Sequence, residues 1–293
     1  MWRARSRPNC NRAEHVLKMS NPSNSAIVVA LTVDENYAAG AAVTIASLAD
    51  HVPKGSDLDI WLLHTGLDNA KIDLISRAAA RGKGRLHQLE LSAGQLALPI
   101  QSDYISRATF GRLYLGDILP PECRRVLYFD CDLLVTGDLQ ELLNIDLCGR
   151  VMAAVSEPTL PVEANPRTYE RLRDPRLDPD MPYFNAGVLI IDLDIWRRTR
   201  LGARALSFVA QYRPALMDQD ALNAVASGQW LELDPMWNTI SYWFRSRSRQ
   251  QRYKALLRRS RIIHYAGHRK PWLRNDIWEA ERWLQYRRQL GPD

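Results

Sequence analysis

The stretch RRVLYFDCDLLVTGDL, residues 124 to 139, runs an apolar segment, Val126-Leu127-Tyr128-Phe129, straight into Asp130-Cys131-Asp132. A short apolar run of this kind reads as a buried strand. It ends on two carboxylates spaced by one residue. In extended backbone, residues i and i+2 point the same way, so the two acids face one spot. Like charges that close repel each other and lose hydration, so something positive is missing beside the pair. Hard oxygen ligands suit Mg²⁺ or Mn²⁺, and Mn²⁺ also accepts imidazole. Such ions usually share their coordination with substrate phosphates, so a divalent ion bridging to a diphosphate answers the need. Taken alone, the motif also reads as a solvated turn after a strand.

Working outward, AIVVALT (26–32), LDIWLLH (58–64) and RLHQLEL (85–91) are three earlier strands. Helical patterns lie between them, at 37–50 and at 69–82, where Gly82 is the stop. Residues 106–119, SRATFGRLYLGDIL, read as a helix ended by Pro120-Pro121. Alternating strands and helices indicate an α/β fold with a doubly wound sheet. Ligands in such sheets sit beyond the carboxyl ends of strands, where Asp130 and Asp132 fall. Further on, 151–158, 186–193 and 261–267 read as strands, and 195–212 and 218–227 as helices. DIWEAERWLQYRRQL (276–290) is a C-terminal amphipathic helix. The loop 158–182 is an excursion suited to a lid or to facing an acceptor.

With 293 residues the chain is one large domain or two small ones. Its 46% hydrophobic and 25% charged residues set it apart from disordered chains. No apolar run approaches the roughly 18 residues of a spanning helix. The basic start lacks the apolar core of a secretory signal. Residues 1–24 read as a flexible tail, with Met19 an alternative start. The four cysteines show no CxxC pairing and read as reduced thiols. A net charge of +6 points to an anionic partner without choosing one.

A second constellation is HYAGHRKPW, residues 264–272. His264 ends an apolar strand, Gly267 permits a turn and close backbone approach, and Lys270 suits a phosphate. Asn185 and Ala186 open the strand in YFNAGVLIIDL. Asp218, Gln219 and Asp220 sit where a helix begins and are candidates to cap it.

Together LYFDCDLLV, YFNAGVLIIDL, DQDALN and HYAGHRKPW, in this order, resemble the family 8 glycosyltransferases, in particular the bacterial lipopolysaccharide α-galactosyl- and glucosyltransferases. The resemblance runs from about Ile27 to Trp283. It implies a GT-A fold, a mixed sheet flanked by helices with an acceptor-facing loop region and a C-terminal helical segment. It also implies a GT-A domain at 25–275 followed by the helix 276–293. By the same resemblance Asp130, Asp132 and His264 hold Mn²⁺ or Mg²⁺. Thr32, Asp34, Asn36, Arg112, Asn185, Ala186, Gly267 and Lys270 bind the donor, UDP-galactose or UDP-glucose. Gln219 and Asp218 are the catalytic candidates, and Tyr104 and Thr109 face the acceptor, a lipopolysaccharide or other glycan. The family retains configuration at the anomeric carbon, and Gln219 is a poor nucleophile, so a same-face displacement is expected. Thr32 replaces a frequent Ala, and His268-Arg269 adds charge before Lys270; both leave the donor open.

The basic run RSRSRQQRYKALLRRSR (245–261) suits an anionic membrane surface. With Trp283 it would make a peripheral anchor on the inner face of the cytoplasmic membrane, for an otherwise cytoplasmic enzyme. Two other classes are open on the residues alone. Haloacid dehalogenase-type phosphatases also follow an apolar strand with DxD, but nearer the N-terminus and with Thr or Val where Leu134 stands. A basic nucleic-acid-binding module fits the charge but lacks a fold signature, so no nucleic-acid partner is expected.

Overall fold

The computed structural model of the chain describes residues 26–98, 106–157, 176–177 and 181–292. The expected tail 1–24, the acceptor candidate Tyr104 and most of the loop 158–182 lie outside the described residues. The strands are β1 (Ile27–Val33), β2 (Leu58–His64), β3 (Arg85–Glu90), β4 (Arg125–Phe129), β5 (Leu133–Val135), β6 (Met152–Ser156), β7 (Phe184–Asp192), β8 (Trp230–Leu233), β9 (Thr239–Ile240) and β10 (Ile262–His264).

Seven of them form a mixed sheet in the order β3-β2-β1-β4-β7-β6-β8, the expected α/β class. Strands β1 to β4 are mutually parallel neighbours in the order β3-β2-β1-β4. The crevice beyond the carboxyl ends of β1 and β4 is therefore where a ligand belongs. Strand β7 is antiparallel to β4, with Phe129 opposite Val188. Its amino end, Asn185 and Ala186, thus reaches the same rim. A second sheet, β5-β10-β9, sits beside the first. In it His264 pairs with Leu133, which delivers the imidazole next to Asp132.

The helix Ala38–Ala49 packs between these sheets and is buried almost throughout. Its small residues allow a close approach: a Cβ on Gly40 would lie 2.4 Å from the Cys131 carbonyl oxygen. Its polar residues serve β5. Thr44 Oγ1 donates to the Leu133 carbonyl at 3.0 Å and Ser47 Oγ accepts from the Val135 N–H at 3.1 Å. Both are fully buried, and each satisfies a strand group that would otherwise be orphaned.

Several elements depart from the sequence reading. Residues 107–114 form a 3₁₀ helix capped by Ser106, with a single α turn at Leu115–Ile118. The helix expected over 195–212 is two helices, Leu193–Arg198 and Leu201–Tyr212, broken at Arg200 in the left-handed region. The break brings Gly202 against the Leu113 carbonyl, where a Cβ would be only 2.0 Å away. The C-terminal helix starts later, at Ala280, and buries Trp283 in the main core at 1% exposure. Trp283 is therefore no membrane anchor. Strands β5, β8 and β9 are 2–4 residues long, too short to leave a periodic signal. Among the described residues Cys123 and Cys131 are free thiols. Among the described residues no helix is long and apolar enough to cross a membrane.

Candidate active site

A cavity of about 460 Å³ opens beyond the carboxyl ends of β1 and β4. Asp130 and Asp132 do not extend β4. They lie in the tight turn between β4 and β5, and the turn still aims both acids into the cavity, while Cys131 turns away to donate to the Thr32 carbonyl at 3.0 Å. His264 completes the cluster. One ligand atom from each of the three residues falls within 4.8 Å of the others. Nε2 of His264 is 3.3 Å from Asp132 and 3.7 Å from Asp130. Two carboxylates and an imidazole converging in this way fit Mn²⁺ or Mg²⁺ by donor chemistry.

The positive charge that the two acids call for comes first from the chain itself. Arg112 donates from Nη2 to Asp130 at 2.8 Å and from Nε pairs with Asp218 at 2.9 Å. Its Nη1 donates to the Ala186 carbonyl at 2.8 Å, and the guanidinium lies over the Tyr128 ring. Lys270 Nζ pairs with Asp132 and donates to the Tyr265 carbonyl. Both cations are buried at 5% exposure. Burial disfavours the charged guanidinium, but Asp130 and Asp218 outweigh it and raise the Arg112 pKa. Burial also works against the Asp132 carboxylate, yet Lys270 and His264 hold it well below the usual range. For His264, burial is outweighed by Asp132, and its pKa is raised.

The other expected residues divide. Thr32, Asp34, Thr109, Asn185, Ala186, Asp218, Gln219, Gly267 and Lys270 all border the cavity. Asn36 does not; it is exposed, with its N–H bound to the Asp34 carboxylate. Thr32 shares a 2.7 Å hydrogen bond with Tyr128 O–H. Thr109 donates to Asp218 at 2.6 Å. Gln219 is gripped at both ends, accepting from Ala186 N–H and donating to Tyr183 Oη, each at 3.0 Å. The helix Met217–Val225 has no side-chain cap at its N-cap, Leu216, whose own N–H donates to Asp220. Gly267 adopts φ +80°, the turn expected of it.

Sequence reasoning missed Tyr37, Glu157 and Tyr242 on the cavity wall, and Gly187 and Asn238 behind it. Gly187 left a signal, since a glycine inside a strand often marks a close approach. Asn238, in an irregular loop, left none. Glu157 is buried and accepts from Asn185 and Tyr242.

The family model for glycosyl transferase family 8 matches residues 28–276. A lipopolysaccharide 1,2-glucosyltransferase of Escherichia coli (strain K12) is 30% identical over 270 residues, 90% of this chain and 78% of its own length. General stress protein A of Bacillus subtilis (strain 168) is 26% identical over 253 residues, 83% of this chain and 86% of its own. A crystal structure of the galactosyltransferase LgtC with donor and acceptor sugar analogues superposes with a TM-score of 0.74 at 26% identity. The match covers 91% of this chain and 97% of that one. These matches leave the phosphatase and nucleic-acid alternatives without support.

Proposed function

The chain belongs to glycosyl transferase family 8, with the GT-A fold, and from this premise we propose that it moves a hexose from UDP-galactose or UDP-glucose to a sugar hydroxyl of a lipopolysaccharide-type or other glycan. The observation that carries the reading is the convergence of Asp130, Asp132 and His264, with Lys270 and Arg112, on one cavity at the sheet's switch point. The resemblance to the E. coli glucosyltransferase and to LgtC supports the substrate class.

Asp130, Asp132 and His264 are the residues to hold Mn²⁺ or Mg²⁺. When bound, the ion supplies a Lewis acid for the charge that grows on the leaving diphosphate. Lys270, which neutralises Asp132, is placed to add its charge to that diphosphate. Arg112 locks Asp130 against Asp218 and keeps both carboxylates oriented. Thr32, Asp34 and Gly267 border the space for the rest of the donor, and Thr109 that for the acceptor. Asp218 is committed to Arg112 and Thr109, which favours an orienting role over nucleophilic attack. Gln219 carries an amide, a poor nucleophile. Retention then proceeds on one face: the C–O bond to the diphosphate breaks, the acceptor oxygen bonds the same face, and its proton passes to the departing phosphate oxygen.

The test is UDP release from a panel of UDP-sugars. Release from one hexose donor is expected with Mn²⁺ and not with EDTA. No release, together with no Mn²⁺-dependent UDP binding by calorimetry, overturns the proposal.

The segment 245–261 contains no acidic residue and forms two short helices, Arg247–Arg252 and Lys254–Arg259. Arg259 pairs with Asp234 at 2.9 Å, while Arg247, Lys254 and Arg258 stay exposed. This supports a peripheral contact with an anionic membrane surface. Replacing these three by Gln should weaken binding to anionic lipid vesicles roughly 100-fold, at about 1 kcal/mol per cation. Unchanged vesicle binding removes the membrane reading.

A further inference from the structure

We propose that Asn238 is a positioning residue that sets which nitrogen of His264 is free to bind a metal ion. The inference rests on the metal role proposed above for Asp130, Asp132 and His264.

A neutral imidazole carries its proton on one nitrogen, and the partner of the other nitrogen decides which. Side-chain amides look alike end for end, so the proton positions must come from a group that cannot be reversed. The backbone N–H of Gly187 is such a group, because it only donates. It lies 2.9 Å from a terminal atom of the Asn185 amide, so that atom is the oxygen, Oδ1. The same Oδ1 is 2.8 Å from a terminal atom of Asn238. An oxygen there would leave two acceptors face to face, so that atom is the amide nitrogen. The other end of Asn238 is then its oxygen, 3.0 Å from His264 Nδ1. An amide oxygen only accepts, so Nδ1 carries the hydrogen. In the neutral ring Nε2 keeps its lone pair, on the side facing Asp130 and Asp132. The far end agrees: Asn185 Nδ2 donates to the Glu157 carboxylate at 2.9 Å, which in its ionised form only accepts.

One backbone N–H thus orders two amides and one imidazole. Asn238 is fully buried. Without its oxygen, the ring gains nothing from a hydrogen on Nδ1. Moving that hydrogen to Nε2 would point an N–H at Asp132, satisfy the carboxylate and remove the ligand.

The experiment is direct Mn²⁺ binding by electron paramagnetic resonance, without nucleotide, alongside thermal melting of the metal-free protein. Asn238→Ala removes the acceptor; Asn238→Asp, with its second carboxyl oxygen protonated towards Asn185 Oδ1, keeps an acceptor facing Nδ1. Mn²⁺ affinity is expected to fall about 10–100-fold in Asn238→Ala and to stay close to the parent in Asn238→Asp. If Asn238→Ala does not fold, Asn238→Leu, closer in volume, carries the same comparison. Undiminished affinity in Asn238→Ala overturns the proposal, and so does Asn238→Asp binding as weakly as Asn238→Ala. A purely structural asparagine would lower the melting temperature without separating the two variants in affinity. Absence of Mn²⁺ binding by the parent protein overturns instead the metal reading beneath it.

Discussion

Gly187→Ala is expected to lower UDP-sugar turnover by about 100-fold and to weaken Mn²⁺ binding with it. The residue lies within β7 and has no left-handed backbone to protect. Space is what it provides. A Cβ at this position would sit 2.3 Å from His264 Cε1, 2.8 Å from His264 Nδ1 and 2.9 Å from Asp130 Oδ2. No real contact is that short, so the imidazole and the carboxylate must move apart. The backbone cannot yield easily, because the Gly187 carbonyl accepts from Asp130 N–H at 2.9 Å and its N–H binds Asn185. Misplacing a reacting group by about 1 Å can cost a factor of 100, and here two of the proposed ligands shift together. Overpacking of this kind costs about 1–3 kcal/mol of stability, so the variant should still fold. Steady-state UDP release and a Mn²⁺ titration check the outcome; turnover close to the parent in a folded Gly187→Ala protein would show that the site tolerates the methyl group.

Arg112→Met should destabilise the protein by about 3–5 kcal/mol, the usual result of removing one partner from a buried ion pair. Methionine keeps much of the side-chain length but leaves two carboxylates without a cation. Asp218 is buried, and Asp130 is only 22% exposed at its side chain. The Ala186 carbonyl also loses its donor. Arg112→Lys restores one charge but not the fork that reaches Asp130, Asp218 and Ala186 at once, so it should recover only part of the loss. Urea unfolding at neutral pH measures both variants. An Arg112→Met protein as stable as the parent would mean that Asp130 and Asp218 do not depend on this guanidinium for their charge balance.

Both effects involve residues whose partners are far away in the chain. That separation also explains what could be read in advance. The strands β1, β2 and β4 were legible because each is a largely apolar run five to seven residues long. The pattern is local, and burial in a sheet demands it. The 3₁₀ form of residues 107–114 was not legible, since its period differs little from that of an α-helix over two turns. The break at Arg200 escaped because its reason, the seating of Gly202 on Leu113, lies in another element. The site residues Asp130, Asp132 and His264 were named from their motifs, and the structure brings them together by pairing β10 with β5. Asn36 was named with them and does not border the cavity.

By itself, then, the sequence determined the alternation of strands and helices, the edge of the sheet where ligands belong, and the motif order that marks the family. Each follows from residue type at short spacing, where propensity and burial act directly. Tertiary structure alone decided how the site is balanced. Lys270 lies 138 residues from Asp132, Arg112 lies 18 from Asp130, and Asn238 lies 26 from His264. Hydrogen bonds and ion pairs have no period, and a side chain's charge or amide is indifferent to its distance along the chain. Only when the two sheets close around the helix Ala38–Ala49 do these groups meet. In the sequence the two aspartates look unpaired; in the fold each has a cation, and a single backbone N–H settles which nitrogen of His264 faces them.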